Sequence, residues 1–382
     1  MTPSLFTPCR LGGVEFPNRI AVAPMGQEAG KGGLVQPWHL QHIGHYAASA
    51  PGMVIMESGA TDPYGFGVVG AIGLYTDEQE AALAKMVADV RTFSDTKLGM
   101  QIVHCGRKIP PGLLAGLREE IGLDNLDTYA PSAISFGGDY PVPIAFDEAG
   151  LENVKRGFVD STIRSARCGF DLLEVHAAHG YLLHQFYSPL SNRRTGRYGG
   201  SVENMLRFPL EVAEAIREAW PPERALGIRI NCIDYVSGDG AVDIAVALGC
   251  GVRDIGYDYI CVTSGSIVER AQLSPSAPGY LVPVAERMRR EAGLPVMVVG
   301  YIVDPHQAEA IVAAGKADFV GIARGFIDDP RWVWHAAAAL GADVTYPHSY
   351  ERARPDRWLG HQMMRDGTAA ASVAPPRDDA AE

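Results

Sequence analysis

The residues of this chain best suited to chemistry are His176, His179 and Tyr181, which fall within six positions of one another. They follow the apolar run at residues 170–175, which is typical of a buried strand. His176 is therefore expected at the carboxyl end of that strand, with the other two in the loop beyond. Two neutral imidazoles can donate N–H groups to an oxygen that gains negative charge, and a phenol can supply a proton. The pattern predicts a site that activates a carbonyl or nitro group.

Two plainer interpretations of the same residues stay open. The histidines could form a structural cluster, or they could be half of a zinc site. The zinc interpretation is disfavoured because the spacing lacks the glutamate and helical frame of H-E-x-x-H, and no nearby cysteine pair completes a tetrahedral set. We therefore predict no metal.

Apolar runs of strand length alternate with amphipathic segments along the chain. The predicted strands are residues 19–23, 53–57, 98–103, 172–176, 225–230, 259–263, 296–300 and 319–323. The predicted helices are residues 39–50, 77–92, 147–168, 202–219, 242–255, 282–291, 305–314 and 330–340. Eight such units with fully apolar strands predict an α/β fold, a closed (β/α)8 TIM barrel.

Other segments fit around this barrel. The stretch from Cys9 to Phe16 turns on a Gly-Gly pair and predicts an N-terminal hairpin that plugs the barrel floor. Residues 108–147, rich in proline and glycine, predict an excursion over the barrel top. We expect one domain over residues 1–366, followed by a disordered tail at 367–382 that is rich in Ala, Pro and Asp.

Composition favours small-molecule chemistry. The chain has 382 residues, 47% of them hydrophobic and 20% charged, as expected for a globular enzyme with a large core. A net charge of −12 argues against a nucleic-acid or anionic-membrane partner. Six scattered cysteines without C-x-x-C spacing, an N-terminus without signal-peptide features and no run of membrane-spanning length suggest a cytoplasmic protein.

Polar residues gather at the predicted carboxyl ends of the strands, where TIM barrels carry their active sites. Gln101 and Arg229 are two of them. A buried arginine needs either a polar ligand or a structural ion pair, and both remain open. The last two strands end near Gly300 and Arg324, at the position where such barrels commonly bind phosphate. A phosphate site beside a central arginine implies a phosphorylated cofactor, most simply FMN.

A long motif then identifies a family. Residues 176–186 read HAAHGYLLHQF, followed by SPLSNRRT at 188–195 and YGGSVEN at 198–204. This run resembles the signature of the old yellow enzyme family of FMN-dependent ene-reductases, closest to its thermophilic-like subgroup. Shorter pieces occur in family order at residues 24–25, 57–60, 101, 104–107, 130–133, 278–280, 299–300 and 321–324. The resemblance covers about residues 4 to 355.

The resemblance implies a role for each matching residue. The residues that would contact tightly bound, non-covalent FMN are Pro24, Met25, Gly26, Ala60, Gln101, His176, Arg229, Gly300, Gly321 and Arg324. Among these, Gln101 would bind the pyrimidine edge of the flavin, Arg229 would stabilise the reduced flavin, and Gly300 and Arg324 would hold the phosphate. His176 and His179 would bind the activating group of the substrate, and Tyr181 would donate the proton. NAD(P)H would reduce FMN and leave before an activated alkene binds.

Three positions depart from the family or extend it. Gly26 stands where the family usually has Cys or Thr, and Glu28 stands where the subgroup often has a substrate-binding tyrosine. Glu28 would bind a cationic substrate group or face solvent. Arg352 matches the place of an arginine that reaches a neighbouring subunit's active site, so the resemblance implies a homodimer or homotetramer; a surface arginine is the alternative.

The expected activity is reduction of enones, enals, maleimides and nitro compounds. An amine demethylase or dehydrogenase, or a dienoyl-CoA reductase, is the alternative within the family. Such enzymes usually carry additional domains with an iron–sulfur cluster, and the six cysteines of this chain form no cluster in the sequence that could bind one. A flavin-free aldolase or isomerase barrel is more remote, because no predicted strand tip offers a Schiff-base lysine; Lys108 is the nearest.

Overall fold

The computed structural model describes residues 2–236, 240–269, 277–358 and 360–365. The strands are β1 (Cys9–Leu11), β2 (Val14–Phe16), β3 (Ile20–Val22), β4 (Met53–Ala60), β5 (Lys97–Val103), β6 (Tyr129–Ala130), β7 (Ile144–Ala145), β8 (Leu172–Ala177), β9 (Ala225–Ile233), β10 (Tyr259–Ser264), β11 (Val296–Val298) and β12 (Phe319–Ile322). The helices are α1 (Pro37–Ala47), α2 (Asp77–Arg91), α3 (Pro111–Ile121), α4 (Glu148–Arg167), α5 (Leu182–Tyr187), α6 (Val202–Ala219), α7 (Ala241–Ile255), α8 (Val282–Ala292), α9 (Pro305–Ala313), α10 (Arg324–Asp328), α11 (Trp332–Leu340) and α12 (Gly360–Arg365). Short 3-10 turns lie at Ser4–Phe6, Pro63–Gly65 and His348–Ala353.

Eight parallel strands close into a barrel in the order β3-β4-β5-β8-β9-β10-β11-β12, with β12 paired back to β3. The predicted TIM barrel is therefore confirmed, with all eight predicted strands in place. Their apolar residues are buried because helices cover the outside of the barrel and side chains fill its interior. β11 ends at Val298 rather than at the predicted Gly300, because Gly300 has φ of 115°, which strand geometry does not allow.

The N-terminal hairpin closes the amino end of the barrel, as predicted. β1 and β2 pair antiparallel, and Leu11 and Phe16 are buried against the first inward-facing residues of the barrel strands. The Phe16 ring meets that of Phe319 edge to face, with centroids 5.8 Å apart. The opposite, carboxyl end of the barrel is thereby left as the open one.

The excursion predicted at residues 108–147 contains regular structure of its own, namely α3 and the short parallel pair β6 and β7. Arg107 ties this excursion to the loop after β10. Its guanidinium is buried and donates to the carbonyl oxygens of Ile134 at 2.6 Å and Ile267 at 3.0 Å. Arg107 thus connects two of the loops above the carboxyl end of the barrel, the excursion and the loop after β10.

Some expectations fall on the end of the chain. The tail predicted at residues 367–382 lies outside the described residues, and the single domain over 1–366 stays a prediction. Within the described part of the chain, no helix has both the length and the apolar character needed to cross a membrane. All six cysteines are free thiols.

Candidate active site

A cavity of about 270 Å³ opens at the carboxyl end of the barrel. It is lined by most of the residues that the sequence singled out: Pro24, Gly26, Glu28, Ala60, Gln101, His176, His179, Tyr181 and Arg229. They come from β3, β4, β5, β8, β9 and the loops that follow these strands. The barrel topology brings them together because the carboxyl ends of parallel strands meet on one face.

The two histidines form a hydrogen-bonded chain. His176 Nδ1 accepts the backbone N–H of Ala178 at 3.2 Å, which assigns the His176 proton to Nε2. That nitrogen lies 3.2 Å from His179 Nδ1, and His179 Nε2 lies 2.9 Å from Thr263 Oγ1. Each N–H donor is therefore directed to the next member of this hydrogen-bonded chain. The sequence had suggested that the two donors converge on one point, which this arrangement does not show.

The environment holds these groups in definite protonation states. Burial, reinforced by the nearby Arg229 charge, lowers the pKa of both His176 and His179 well below the ordinary value. The imidazoles are therefore neutral near pH 7. The neighbouring Cys105 and burial raise the pKa of Tyr181 above its ordinary value, so its phenol keeps its proton. The Tyr181 and His176 ring centroids are 4.9 Å apart.

The backbone that carries His179 is strained and tightly held. His179 and Gly180 have φ of 57° and 76°, and a left-handed conformation costs a residue with a side chain about 1–2 kcal/mol. Buried or half-buried side chains bind all four backbone polar groups of this dipeptide. The four contacts are His179 N to Asn231 Oδ1 (3.2 Å), Lys108 Nζ to His179 O (2.6 Å), Gly180 N to His184 Nδ1 (2.9 Å) and Gln185 Nε2 to Gly180 O (2.7 Å). The surroundings fix a conformation that the dipeptide alone would disfavour.

Polar side chains from the barrel strands line the inner part of the cavity. Gln101 Nε2 donates to Glu174 at 2.7 Å, and Arg229 Nη2 lies 3.3 Å from Thr263 Oγ1. Arg229 Nε is buried and has no hydrogen-bond partner among the described residues. A buried guanidinium N–H without a partner is costly, so this donor indicates a polar ligand in the cavity. The structural ion pair that the sequence left open is not found among the described residues.

The loop after β3 forms one side of the cavity. Gln27 N donates to Glu57 Oε2 at 3.1 Å, which fixes this loop against β4. A Cβ added to Gly26 would meet nothing within 4 Å, so the cavity has room for a side chain there. Glu28 is exposed at the edge of the cavity and has φ of 51°.

Five predicted residues do not line this cavity. Met25 packs against the main core, and Arg352 is exposed in the turn His348–Ala353. Gly300, Gly321 and Arg324 lie at the carboxyl ends of β11 and β12, on the same rim of the barrel. The two glycines also have packing reasons. A Cβ added to Gly300 would come within 2.8 Å of the Tyr280 ring, and one added to Gly321 within 2.9 Å of Val299.

Sequence reasoning missed three contributors. Thr263 completes the histidine chain, Cys105 lines the cavity, and Lys108 holds the His179 carbonyl. Thr263 is a polar residue near the end of an apolar strand, which is the signal that singled out Gln101 and could have found it. The contact from Lys108 spans 71 residues, so no local pattern indicates it.

Comparison with known proteins decides the family. The model of the NADH:flavin oxidoreductase / NADH oxidase family matches residues 4–342. The chain belongs to this family. It is 36% identical over 355 residues to the NADPH dehydrogenase of Geobacillus thermodenitrificans, covering 92% of this chain and 99% of the relative. It is 34% identical over 356 residues to the NADPH dehydrogenase of Bacillus subtilis, with the same coverage.

A solved structure of this family agrees with the assignment. Morphinone reductase matches with a TM-score of 0.74 and 28% identity, covering 91% of this chain and 92% of that one. The resemblance to the old yellow enzyme family is thus confirmed. This member of the family is an oxidoreductase that takes FMN as its cofactor and NAD(P)H as its reductant.

The cavity suits FMN in its chemistry. Arg229 offers an unpartnered N–H donor, Gln101 offers a side-chain amide, and Gly26 leaves open space. The described residues hold no group of three or more His, Cys, Asp or Glu side chains placed to bind a metal ion.

Proposed function

We propose that this flavoprotein is an ene-reductase, which uses NAD(P)H to reduce activated C=C bonds of enones, enals, maleimides and nitro compounds by a ping-pong mechanism. The observation that carries the proposal is the neutral pair His176 and His179 beside the protonated Tyr181 in the cavity. Such a site can stabilise negative charge on a substrate oxygen and supply a proton, without itself being charged at pH 7.

Bound FMN would supply the hydride that it takes from NAD(P)H and passes to the β-carbon of the alkene. His176 Nε2–H and His179 Nε2–H would bind the carbonyl or nitro oxygen of the substrate, which would compete with His179 Nδ1 and Thr263 Oγ1 for these donors. Their hydrogen bonds strengthen as that oxygen gains charge. Tyr181 would deliver the proton to the α-carbon.

The residues that would hold FMN are those of the sequence prediction: Pro24, Met25, Gly26, Ala60, Gln101, His176, Arg229, Gly300, Gly321 and Arg324. The unpartnered Arg229 donor supports the inner part of this assignment. We further propose a homodimer or homotetramer in which Arg352 reaches the neighbouring site; the exposure of Arg352 in the single chain supports this. Glu28, at the cavity edge, would contact the substrate.

A substrate panel under anaerobic conditions tests the proposed reaction. We expect NADPH or NADH oxidation that depends on cyclohexenone, cinnamaldehyde, a maleimide or a nitroalkene. The two alternative activities within the family would give different results in such assays. A secondary or tertiary amine would reduce the oxidised enzyme without NAD(P)H if the protein were an amine dehydrogenase, and a dienoyl-CoA would be the preferred acceptor if it were a dienoyl-CoA reductase. Family membership and the absence of a free strand-tip lysine among the described residues leave no support for an aldolase, since Lys108 Nζ donates to backbone carbonyl oxygens.

Arg324 should matter for cofactor retention. Its guanidinium is exposed on the rim and stacks over Tyr301 at 5.3 Å, a position from which it could pair with a phosphate. Arg324→Ala should weaken FMN binding about tenfold or more, as expected for loss of a charged hydrogen bond of about 1.5–3 kcal/mol. Fluorescence titration of the apoprotein measures this, with Arg290→Ala as an exposed-arginine control on α8. Unchanged affinity in the first variant would contradict the phosphate role.

Gly26 should be a site where the cofactor can be tuned. Gly26→Cys or Gly26→Thr adds a hydrogen-bonding group in open space of the cavity, at a position without a positive φ. We expect the FMN midpoint potential to move by about 30 mV, equivalent to about 1.4 kcal/mol for a two-electron couple. Potentiometry of both variants, with rates on cyclohexenone, tests this. If neither quantity changes, residue 26 does not contact the flavin.

Lys108 should give the oxidative half-reaction a pH dependence. Burial lowers its pKa to about 8, so the ammonium that holds the His179 carbonyl loses its charge as the pH rises through 8. The neutral amine makes a weaker hydrogen bond by about 1 kcal/mol, so we expect a decrease in rate of about fivefold between pH 7 and 9.5. Enzyme reduced beforehand and mixed with cyclohexenone measures it. The Lys108→Arg variant stays charged over this range and should lack the decrease in rate. If the decrease persists in Lys108→Arg, a group other than Lys108 causes it.

A further inference from the structure

A buried carboxylate lies between the cavity and the floor of the barrel. Glu174, on β8, is fully buried among the inward-facing residues. One carboxylate oxygen accepts Gln101 Nε2 at 2.7 Å, and the other accepts the Tyr259 hydroxyl at 3.0 Å. Tyr259 belongs to the apolar cluster that the N-terminal hairpin covers at the floor of the barrel, whereas Gln101 lines the cavity. A carboxylate is costly to bury, and the residues packed below Glu174 at the floor of the barrel are apolar, so packing alone does not explain it.

Glu174 also belongs to the electrostatic surroundings of Arg229. β8 and β9 are paired, with His176 beside Arg229 and Glu174 beside Gly227. Burial raises the pKa of Glu174, and the Arg229 charge opposes this effect together with the hydrogen bonds from Gln101 and Tyr259. No direct ion pair between Glu174 and Arg229 occurs among the described residues. The guanidinium can therefore act on a cavity ligand, while the carboxylate offsets part of its positive potential.

We propose that Glu174 is a positioning residue that sets the reduction potential of the flavin and orients the Gln101 amide toward it. This inference rests on the proposed binding of FMN by Gln101 and Arg229. Reduction adds negative charge to the site, so nearby positive charge favours it and nearby negative charge disfavours it. Glu174 thereby lowers the reduction potential of the bound cofactor below the value that Arg229 alone would give. The reduced cofactor is then a stronger hydride donor. The same carboxylate accepts a hydrogen bond from Gln101 Nε2, and the oxygen of the Gln101 amide is therefore directed away from Glu174.

The test is the midpoint potential of the purified holoenzyme, measured anaerobically against a reference dye with no substrate present. Glu174→Gln removes the charge and keeps the volume. We expect the equilibrium between oxidised and reduced cofactor to shift at least tenfold toward the reduced form, a change of about 30 mV for two electrons. Glu174→Ala, whose space water can fill beside polar partners, should shift it in the same direction and serves if the first variant does not fold.

Asp258→Asn is the matched control. Asp258 is a half-buried carboxylate at the floor end of the barrel, where it accepts the Leu226 N–H at 2.8 Å. Its removal should change the redox equilibrium less than twofold. A change of less than twofold in both Glu174 variants, a shift toward the oxidised form, or an equal shift in the control would overturn the proposal. Weaker FMN binding in Glu174→Gln without a shift of potential would also overturn the proposal, because Glu174 would then only hold Gln101 in place.

The outcomes separate this inference from the proposed function. The potential is measured without an alkene, so a wild-type enzyme that binds FMN but does not reduce alkenes would refute the ene-reductase proposal and leave this test intact. An unshifted potential in an active ene-reductase would refute only the role of Glu174.

Discussion

Replacing His176 and His179 by alanine should slow oxidation of the reduced enzyme by an enone, by about 10²- to 10³-fold for each variant. Each substitution removes one N–H donor from the cavity, where His176 is buried, His179 is half-buried and both lie near the Arg229 charge. Reduction of the enzyme by NAD(P)H should change much less, because it needs no donor to a substrate carbonyl. The double variant need not show the product of the two effects, since the histidines contact each other.

Rapid mixing of each half-reaction separately measures these effects. His306→Ala is the control, because His306 lies exposed on α9 and should leave both half-reactions unchanged. An unchanged oxidative half-reaction in His176→Ala and His179→Ala would rule out the assigned role. Equal slowing of both half-reactions would point instead to a disturbed cofactor site.

Phe16→Ala should destabilise the fold by about 3–5 kcal/mol, the usual cost of deleting a large buried aromatic side chain. Phe16 lies fully buried in the N-terminal hairpin, edge to face with Phe319. Its loss opens a cavity among the first residues of the barrel strands. Denaturant unfolding at saturating FMN measures the change, so that cofactor loss does not add to it.

Phe93→Ala is the matched control for that variant. The Phe93 side chain is 48% exposed, and its removal should change the free energy of unfolding by about 1 kcal/mol or less. A loss below about 1 kcal/mol for Phe16→Ala would contradict the role of the hairpin as an integral part of the core.

The barrel could be predicted from sequence because its strands are buried on both faces and read as continuous apolar runs. Their ends were less accurate. β4 continues from the predicted Glu57 to Ala60, because its outer part pairs with β5 through a shift in register that no residue pattern shows. The short strands β6 and β7 were missed, since two-residue pairings leave no periodicity to detect.

The site could be predicted as a set of residues but not as a hydrogen-bond arrangement. Gln101, His176 and Arg229, which were singled out by their position at strand ends, line one cavity. The direction of the His179 ring depends on a left-handed backbone and on Thr263, which is 84 residues away in sequence. Such long-range contacts follow from the closed barrel and cannot be read from local spacing.

The most direct test of the account is a single turnover. The wild-type enzyme is reduced anaerobically with one equivalent of NADPH, separated from NADP⁺ and mixed with 2-cyclohexenone. The account predicts that the yellow colour of oxidised FMN returns and that one equivalent of cyclohexanone forms per flavin. If the reduced enzyme is reoxidised by oxygen but by no enone, enal, maleimide or nitroalkene, the proposed reaction is contradicted.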